Sequence, residues 1–175
     1  MSLRLILIRH AKSSWGDPFA DDHARVLNNR GRTSAKAIGE WLAQAGHVPD
    51  LVLCSDAART RETAERIILA FAARPRLQFS GRLYHAAPDT IFDLIRKQTT
   101  SHLAVIGHNP GIGMAANALV ATPPDHHRFS DYPTCATTVI DFAMTSWGDL
   151  KPGWGQVVDF TVPRDLIGTS GSEID

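Results

Sequence analysis

Apolar positions along the chain fall into two alternating kinds of segment. Short runs with little polar interruption, Leu3–Arg9 (LRLILIR), Leu51–Cys54 (LVLC) and Leu103–Gly107 (LAVIG), read as strands buried on both faces. Between them stand longer stretches with helical spacing. In Arg32–Ala45 the residues Ala35, Ile38, Trp41 and Leu42 share one face, and Gly46 follows where a left-handed residue would end a helix. The same spacing predicts helices over Ala57–Ala73, over Pro88–Gln98 with its proline in the first turn, and over Ile112–Ala121. A shorter strand is expected at Leu77–Phe79. After a proline-rich loop at 122–133, Thr137–Phe142 and Val157–Val162 are expected to pair as an antiparallel edge. Strands and helices in this alternation imply an α/β fold of three layers, α/β/α, around a mostly parallel sheet. One domain is expected over residues 1–167, with a flexible tail over 168–175.

Composition narrows what such a domain can do. A chain of 175 residues suits one core, burying roughly two thirds of its unfolded surface. Eighteen basic residues balance 18 acidic ones, so the basic excess of a nucleic-acid or membrane-surface binder is missing and any phosphate affinity has to be local. Cys54 and Cys135 are too few for a disulfide framework or a four-cysteine zinc site, which fits the cytoplasm. The N-terminal LRLILI is too short for a secretory apolar region, and no later run is long enough to span a membrane.

Ligands of open parallel sheets sit beyond the carboxyl ends of the strands. Three successive ends carry Arg9-His10, then Ser55 with Arg59 one helical turn onward, then His108-Asn109. Two arginines and two histidines converging there form a phosphoryl-binding set, because guanidinium forks match phosphate oxygens and helix N-termini add backbone donors. Cys54 is excluded as the nucleophile of a cysteine phosphatase loop, since Arg59 follows it one position too early. No glycine-rich loop ends in Gly-Lys-Ser/Thr, no Asp-x-Asp pair closes a strand, and no Gly-x-Ser-x-Gly elbow is present. His10 is left as the best nucleophile: an imidazole held neutral, with one nitrogen bonded to a backbone carbonyl, can attack phosphorus with the other.

Four motifs occur in order: Arg9, His10, Ser13 and Trp15 within RHAKSSW; Asp22-x-x-Arg25-x-Leu27 with Gly31 and Ala35 downstream; Ser55-x-Ala57-x-Arg59-Thr60-x-Glu62-Thr63-Ala64; and Gly107-His108-Asn109-Pro110-Gly111. Together they resemble the histidine phosphatase superfamily, whose first motif is Arg-His-Gly. The branch with the phosphoglycerate mutases continues Glu-Ser-x-Trp. The chain departs from that pattern at Ala11 and Lys12, and is more similar there to the short SixA-type phosphohistidine phosphatases. The resemblance spans nearly the whole chain. It implies a phosphoglycerate mutase-like fold and a covalent phosphohistidine at His10. Arg9, Arg59 and His108 would bind the phosphoryl oxygens, with no metal or cofactor. Ser13, Asn109 and Lys12 are candidate substrate contacts, Lys12 as a charge on the rim. The implied activity is a metal-independent phosphatase acting on phosphohistidine in a signalling or phosphotransfer protein. A monomer with no nucleic-acid or membrane partner is the expected form.

Relatives that cleave phosphate monoesters place a carboxylic acid in the loop after the third strand, because an unprotonated alkoxide leaves poorly. That region here reads GRLYHAAPD, Gly81 to Asp89. Asp89 in the first turn of a helix is explained by the helix dipole, and Tyr84 is expected to pack, so His85 is the alternative proton donor beside Asp89. Two other functions stay open: a phosphatase or mutase of a small sugar or organic phosphate, and a non-catalytic module that only recognises phosphate. The short connections offer little material for a lid over a small substrate, and a phosphate reader has no use for a nucleophile beside its arginine. His126-His127, with His23, His47, His85 and His102, lack the spacing of a zinc site. Trp15 and Trp41 are expected to pack, and Trp147 and Trp154 to anchor loops.

Overall fold

Consecutive residues of an extended strand point to opposite faces of its sheet, so an uninterrupted apolar run has to be covered on both sides. The computed structural model, which describes residues 2–168, shows two separate cores divided in that way. From β1 (Leu3–Arg9), Leu5 and Leu7 enter one core while Ile6 and Ile8 enter the other. Leu103 and Val105 of β4 (His102–Gly107) join the first core, and Ala104 and Ile106 the second. β2 (Leu51–Ser55) divides likewise, with Leu51 and Leu53 opposed to Val52 and Cys54.

Helices cover the two faces. α1 (Asn29–Gln44) and α2 (Ala58–Ile68) supply Ala35, Ile38, Leu42, Ala64 and Ile67 to the second core. α3 (Pro88–Arg96) and α4 (Gly111–Leu119) supply Ile91, Phe92, Ile95, Ile112 and Ala116 to the first. The sheet holds six strands in the order β3-β2-β4-β1-β5-β6, where β3 is Arg76–Ser80, β5 Thr137–Phe142 and β6 Gln156–Thr161. The first four run parallel. β5 lies antiparallel to β1, and β6 antiparallel to β5 with a bulge at Val139/Ile140. This is the three-layer α/β/α arrangement with an antiparallel edge.

Register determines what the sheet can carry. Arg9 of β1 stands opposite Gly107 of β4, and Cys54 of β2 opposite Ile106. The three strands therefore end level, and the His10 N–H still donates to the Gly107 carbonyl at 3.0 Å.

Element ends depart from the periodicity where capping or tertiary packing prevails over it. α1 starts at Asn29, three residues before the expected Arg32, because the Asn28 side chain accepts the Gly31 N–H at 2.8 Å and so caps the helix before any apolar stripe begins. α2 stops at Ile68 rather than Ala73: the N–H groups of Ala70 and Phe71 turn back to the Ile67 and Ile68 carbonyls, which folds Phe71 into the core. α4 stops at Leu119, where Val120 becomes extended and bridges Gly155. A short helix, α5 (Pro163–Ile167), follows β6 where no helix was expected; it begins with a proline, and the Asp165 carboxylate accepts the Val162 N–H. Trp147 anchors the connection between β5 and β6 as expected: its ring is buried in the first core and its indole N–H donates to the Thr100 carbonyl at 2.7 Å. The tail beyond Gly168 lies outside the described residues. No helix among the described residues is long and apolar enough to cross a membrane.

Gly31 links the fold to the strand ends. A methyl group built there would collide with the Lys12 carbonyl oxygen, so only glycine lets the N-terminal turn of α1 approach the segment that follows His10. Gly31→Ala should lower the melting temperature by about 2 to 8 °C, the shift expected of a 1 to 2 kcal/mol overpacking penalty in a chain of this size, and should depress turnover by displacing Lys12. A variant melting and turning over like wild type would show that this approach is not constrained.

Candidate active site

The level strand ends bring Arg9, His10, Arg59 and His108 into one cleft of about 230 Å³. Lys12, Ser13 and Asn109 also line it, as do Trp15, Asp22, Arg25 and His85. Asp89 does not: it is exposed in the first turn of α3, away from the lining.

His10 is the best-determined group. Its Nδ1 lies 2.7 Å from the carbonyl oxygen of Ala11, so Nδ1 carries the proton and Nε2 keeps its lone pair. The carbonyl is itself held: the Ala11 N–H donates to Thr63 Oγ1 at 3.0 Å, and that hydroxyl donates to the Arg59 carbonyl within α2. Burial lowers the His10 pKa from 6.5 to about 3; the bond to Ala11 opposes this, and the charges of Arg9, Arg59 and Arg25 add to it. The imidazole is neutral at any physiological pH.

His108 is neutral for a similar reason. Burial, with His10 and Arg59 close by, lowers its pKa from 6.5 to about 3. Its Nε2 lies 2.7 Å from Ser55 Oγ, which already accepts the Ala57 N–H. The serine hydroxyl can still donate to Nε2, an arrangement that leaves the ring proton of neutral His108 on Nδ1. That Nδ1, with Nε of Arg9, Arg25 and Arg59, is buried without a hydrogen-bond partner among the described residues. Unmatched buried donors are costly, and their presence on four residues that line one cleft favours an oxyanion such as a phosphoryl group there. The ring centroids of His10 and His108 stand 5.2 Å apart.

Asp22 organises the opposite wall. Arg59, only 2% exposed, donates to the Asp22 carbonyl at 2.6 Å and to its Oδ2 at 3.0 Å. The same carboxylate accepts the Tyr84 hydroxyl and lies 3.0 Å from His85 Nε2. Hydrogen bonds from Tyr84, then His85 and Arg59, hold the Asp22 carboxyl well below the usual range, so it is ionised and cannot serve as an acid. Tyr84, expected only to pack, is a member of this network, and His85 adopts a positive φ of 50° to reach it. The Asp22-x-x-Arg25 spacing was visible in the sequence, but its pairing with Arg59 needed the loop to fold back. Gly111 permits the matching approach on the other side, since a side chain there would meet the Ala86 carbonyl.

The remaining residues are more constrained. Asn109 lines the cleft, yet its amide is occupied: Nδ2 donates to the Asp131 and Tyr132 carbonyls, and Oδ1 accepts the Gly113 N–H. Ser13 is buried in a bridge to Leu27. Trp15 does not pack into the core; it is 78% exposed, with the Arg25 guanidinium 3.7 Å from its ring centre. Cys54 and Cys135 are buried and unpaired, and burial raises the Cys54 thiol far above its usual value. No group of three or more His, Cys, Asp or Glu among the described residues is placed to hold a metal; His126 instead bonds Asp165 at 2.8 Å.

A family profile described as the histidine phosphatase superfamily (branch 1) matches residues 5–84. An uncharacterized protein of Mycobacterium tuberculosis is 35% identical over 164 residues, covering 90% of this chain and 100% of that one. The chain belongs to branch 1 of the histidine phosphatase superfamily and is a phosphatase. Among solved structures, a protein from Agrobacterium tumefaciens provisionally named phosphohistidine phosphatase SixA superposes with a TM-score of 0.76 at 28% identity, over 92% of this chain and 98% of that one. A protein histidine phosphatase SixA complexed with tungstate shares the fold, with a TM-score of 0.76 at 17% identity over 94% and 99% of the two chains. The SixA type is thus the particular class within the superfamily.

Two neutral buried histidines make a definite prediction. Because their folded pKa values lie below the unfolded ones, their contribution to stability is complete above pH 6.5 and is lost as pH falls toward about 3. Long-range proton–nitrogen correlation spectra of the free protein should show both rings neutral down to about pH 5, with His10 as the Nδ1–H tautomer. Protonation of either ring near its ordinary pKa would refute the assignment.

Proposed function

We propose that the protein removes the phosphoryl group from phosphohistidine in another protein, through a covalent phosphohistidine at His10. The observation that carries this reading is a strong nucleophile set opposite no carboxylic acid. Nε2 of His10 has a free lone pair within a cluster of arginines, whereas the one carboxylate lining the cleft, Asp22, is pinned ionised.

In the first step the Nε2 lone pair forms a bond to phosphorus and the P–N bond of the substrate breaks. The leaving imidazole keeps its electron pair and, with a proton already on its other nitrogen, departs neutral. Such a group needs no acid from the enzyme, unlike an alkoxide. Charge on the transferring phosphoryl oxygens is met by Arg9, Arg59 and the Nδ1–H of His108, which is where phosphoryl-transfer catalysis chiefly lies. Water then attacks phosphorus, the bond to Nε2 breaks, and phosphate leaves with the oxygen of the water. Trp15, on the rim of the cleft, and Phe19, four residues on, are 78% and 93% exposed and offer apolar contacts to a protein surface.

The test is kcat/KM on a phosphohistidine protein, an aryl phosphate and an alkyl phosphate, with acid-labile phosphate on the enzyme assayed in parallel. The expected order is phosphohistidine, then aryl, then alkyl. His10→Ala should abolish both turnover and the labile phosphate, and Arg9→Ala should cost about 2 to 4 kcal/mol of transition-state stabilisation. Arg59→Ala should lose as much activity and some stability too, since it strands Asp22. A wild-type preference for the alkyl ester that is removed by His85→Ala would instead identify a small-molecule phosphatase with His85 as its acid; the same loss in Asp89→Asn would assign that role to Asp89.

A further inference from the structure

The short bonds of the Asp22 side chain all fall on one of its two oxygens. Oδ2 accepts the Tyr84 hydroxyl, stands 3.0 Å from His85 Nε2 and takes Arg59 Nη2 at 3.0 Å. Oδ1 has no hydrogen bond among the described residues; Arg25 Nη2 faces it at 3.5 Å. Bracing Arg59 therefore accounts for one half of the carboxylate and leaves the other half unused. That half is within reach of a ligand, because the side chain is 45% exposed. Asp22 is also the one acidic residue in a lining that is otherwise basic or neutral. An anion in such a place repels a phosphate ester, whose leaving oxygen gains negative charge as its bond to phosphorus breaks. It suits a leaving group of the opposite character.

The direction of displacement brings that group toward Asp22. His10 lies at the floor of the cleft, 6% exposed, and in-line transfer sends the leaving group away from its Nε2, toward the outer lining that includes Asp22, His85 and Trp15. We propose that Oδ1 of Asp22 determines specificity for the leaving group, accepting a hydrogen bond from the distal ring N–H of a phosphohistidine. The carboxylate then stabilises the cationic ring, the form in which the second nitrogen already bears the proton that the reaction requires. No proton passes to or from the enzyme. As His10 Nε2 bonds to phosphorus, the electron pair of the P–N bond returns to the ring, which leaves as neutral imidazole with its N–H still on Oδ1. An aryl oxide or alkoxide has no such hydrogen and meets the same carboxylate as a repulsion, so one group favours the phosphoramidate and disfavours the ester. Tyr84, His85 and Arg59 assist through their bonds to Oδ2, which keep the carboxylate ionised. This assignment rests on the phosphohistidine reading and adds the residue that recognises the leaving ring.

A cycle of substrates and variants tests it. The substrates are N-phosphoimidazole, its derivative methylated on the distal nitrogen, and an aryl phosphate, each referred to its own uncatalysed hydrolysis. On the wild type, methylation should cost about tenfold or more in rate enhancement, the factor of a hydrogen bond to a charged group. Asp22→Asn keeps the main-chain carbonyl and a side-chain oxygen for Arg59. It should lower kcat/KM about tenfold more for phosphoimidazole than for the aryl phosphate, and the methylation penalty should shrink with it. Tyr84→Phe, which loosens the brace on Oδ2 and spares Oδ1, should slow all three substrates by a common factor. Equal losses on phosphoimidazole and aryl phosphate in Asp22→Asn overturn the role of Asp22 while the substrate reading stands. A ratio shifted as far by Tyr84→Phe as by Asp22→Asn assigns the effect to the brace and overturns it too. Should the asparagine variant not fold, the wild type decides, since absence of a methylation penalty overturns the proposal. A wild type that hydrolyses the aryl phosphate and neither phosphoramidate refutes the phosphohistidine reading instead, and the assignment of Asp22 falls with it.

Discussion

The hydrogen bond from Nδ1 of His10 to the Ala11 carbonyl is the contact on which the site depends, and much of the fold is arranged to hold it. It fixes the tautomer, and the tautomer decides which nitrogen can attack. The segment is tied down on both sides of that carbonyl, by the Ala11 N–H on Thr63 of α2 and by the Lys12 carbonyl, which accepts the Asn28 N–H. α2 in turn packs closely on α1, where the absent side chain of Gly39 leaves room for the Ile67 carbonyl, 2.6 Å from where a Cβ would stand. The next residue along, Lys12, fits against α1 through Gly31. The candidate nucleophile at a strand end is thus oriented by α1 and α2, of which α2 also brings Arg59 into the cleft.

Charge is the second organising constraint. The cleft holds several arginines near two histidines, and their mutual repulsion together with burial keeps both imidazoles neutral. A buried cation without a partner is unstable, and Asp22 relieves part of that cost by binding Arg59 while also fastening Tyr84 and His85. The carboxylate that stabilises the empty cleft is for that reason unable to give a proton. Orphaned donors on Arg9, Arg25, Arg59 and His108 remain, and they define the volume in which an oxyanion is favoured.

Much of this was legible in one dimension, and the reasons are physical. Strands buried on both faces have to be apolar throughout, so β1, β2 and β4 were visible as runs, and a parallel sheet places functional residues directly after such runs. Arg9, His10, Arg59 and His108 could therefore be located from position alone. The ends of α1, α2 and α4 were not legible, because the Asn28 cap, the inward turn of Phe71 and the bridge of Val120 to Gly155 are set by side-chain bonds and packing that periodicity does not encode. Trp15 shows the same limit: expected to pack, it lies open against Arg25.

The amino-acid sequence by itself determined the alternation of strand and helix, the chemistry at three strand ends, and the family that those motifs define. Only the tertiary structure decided that Asp22 would reach back across 37 residues to Arg59, and that His85 and Tyr84 would share its carboxylate. The difference is one of range. Burial and hydrogen-bond geometry within an element follow from neighbours in the chain, whereas the protonation state and partner of a charged side chain depend on every group brought within a few ångströms of it by the fold.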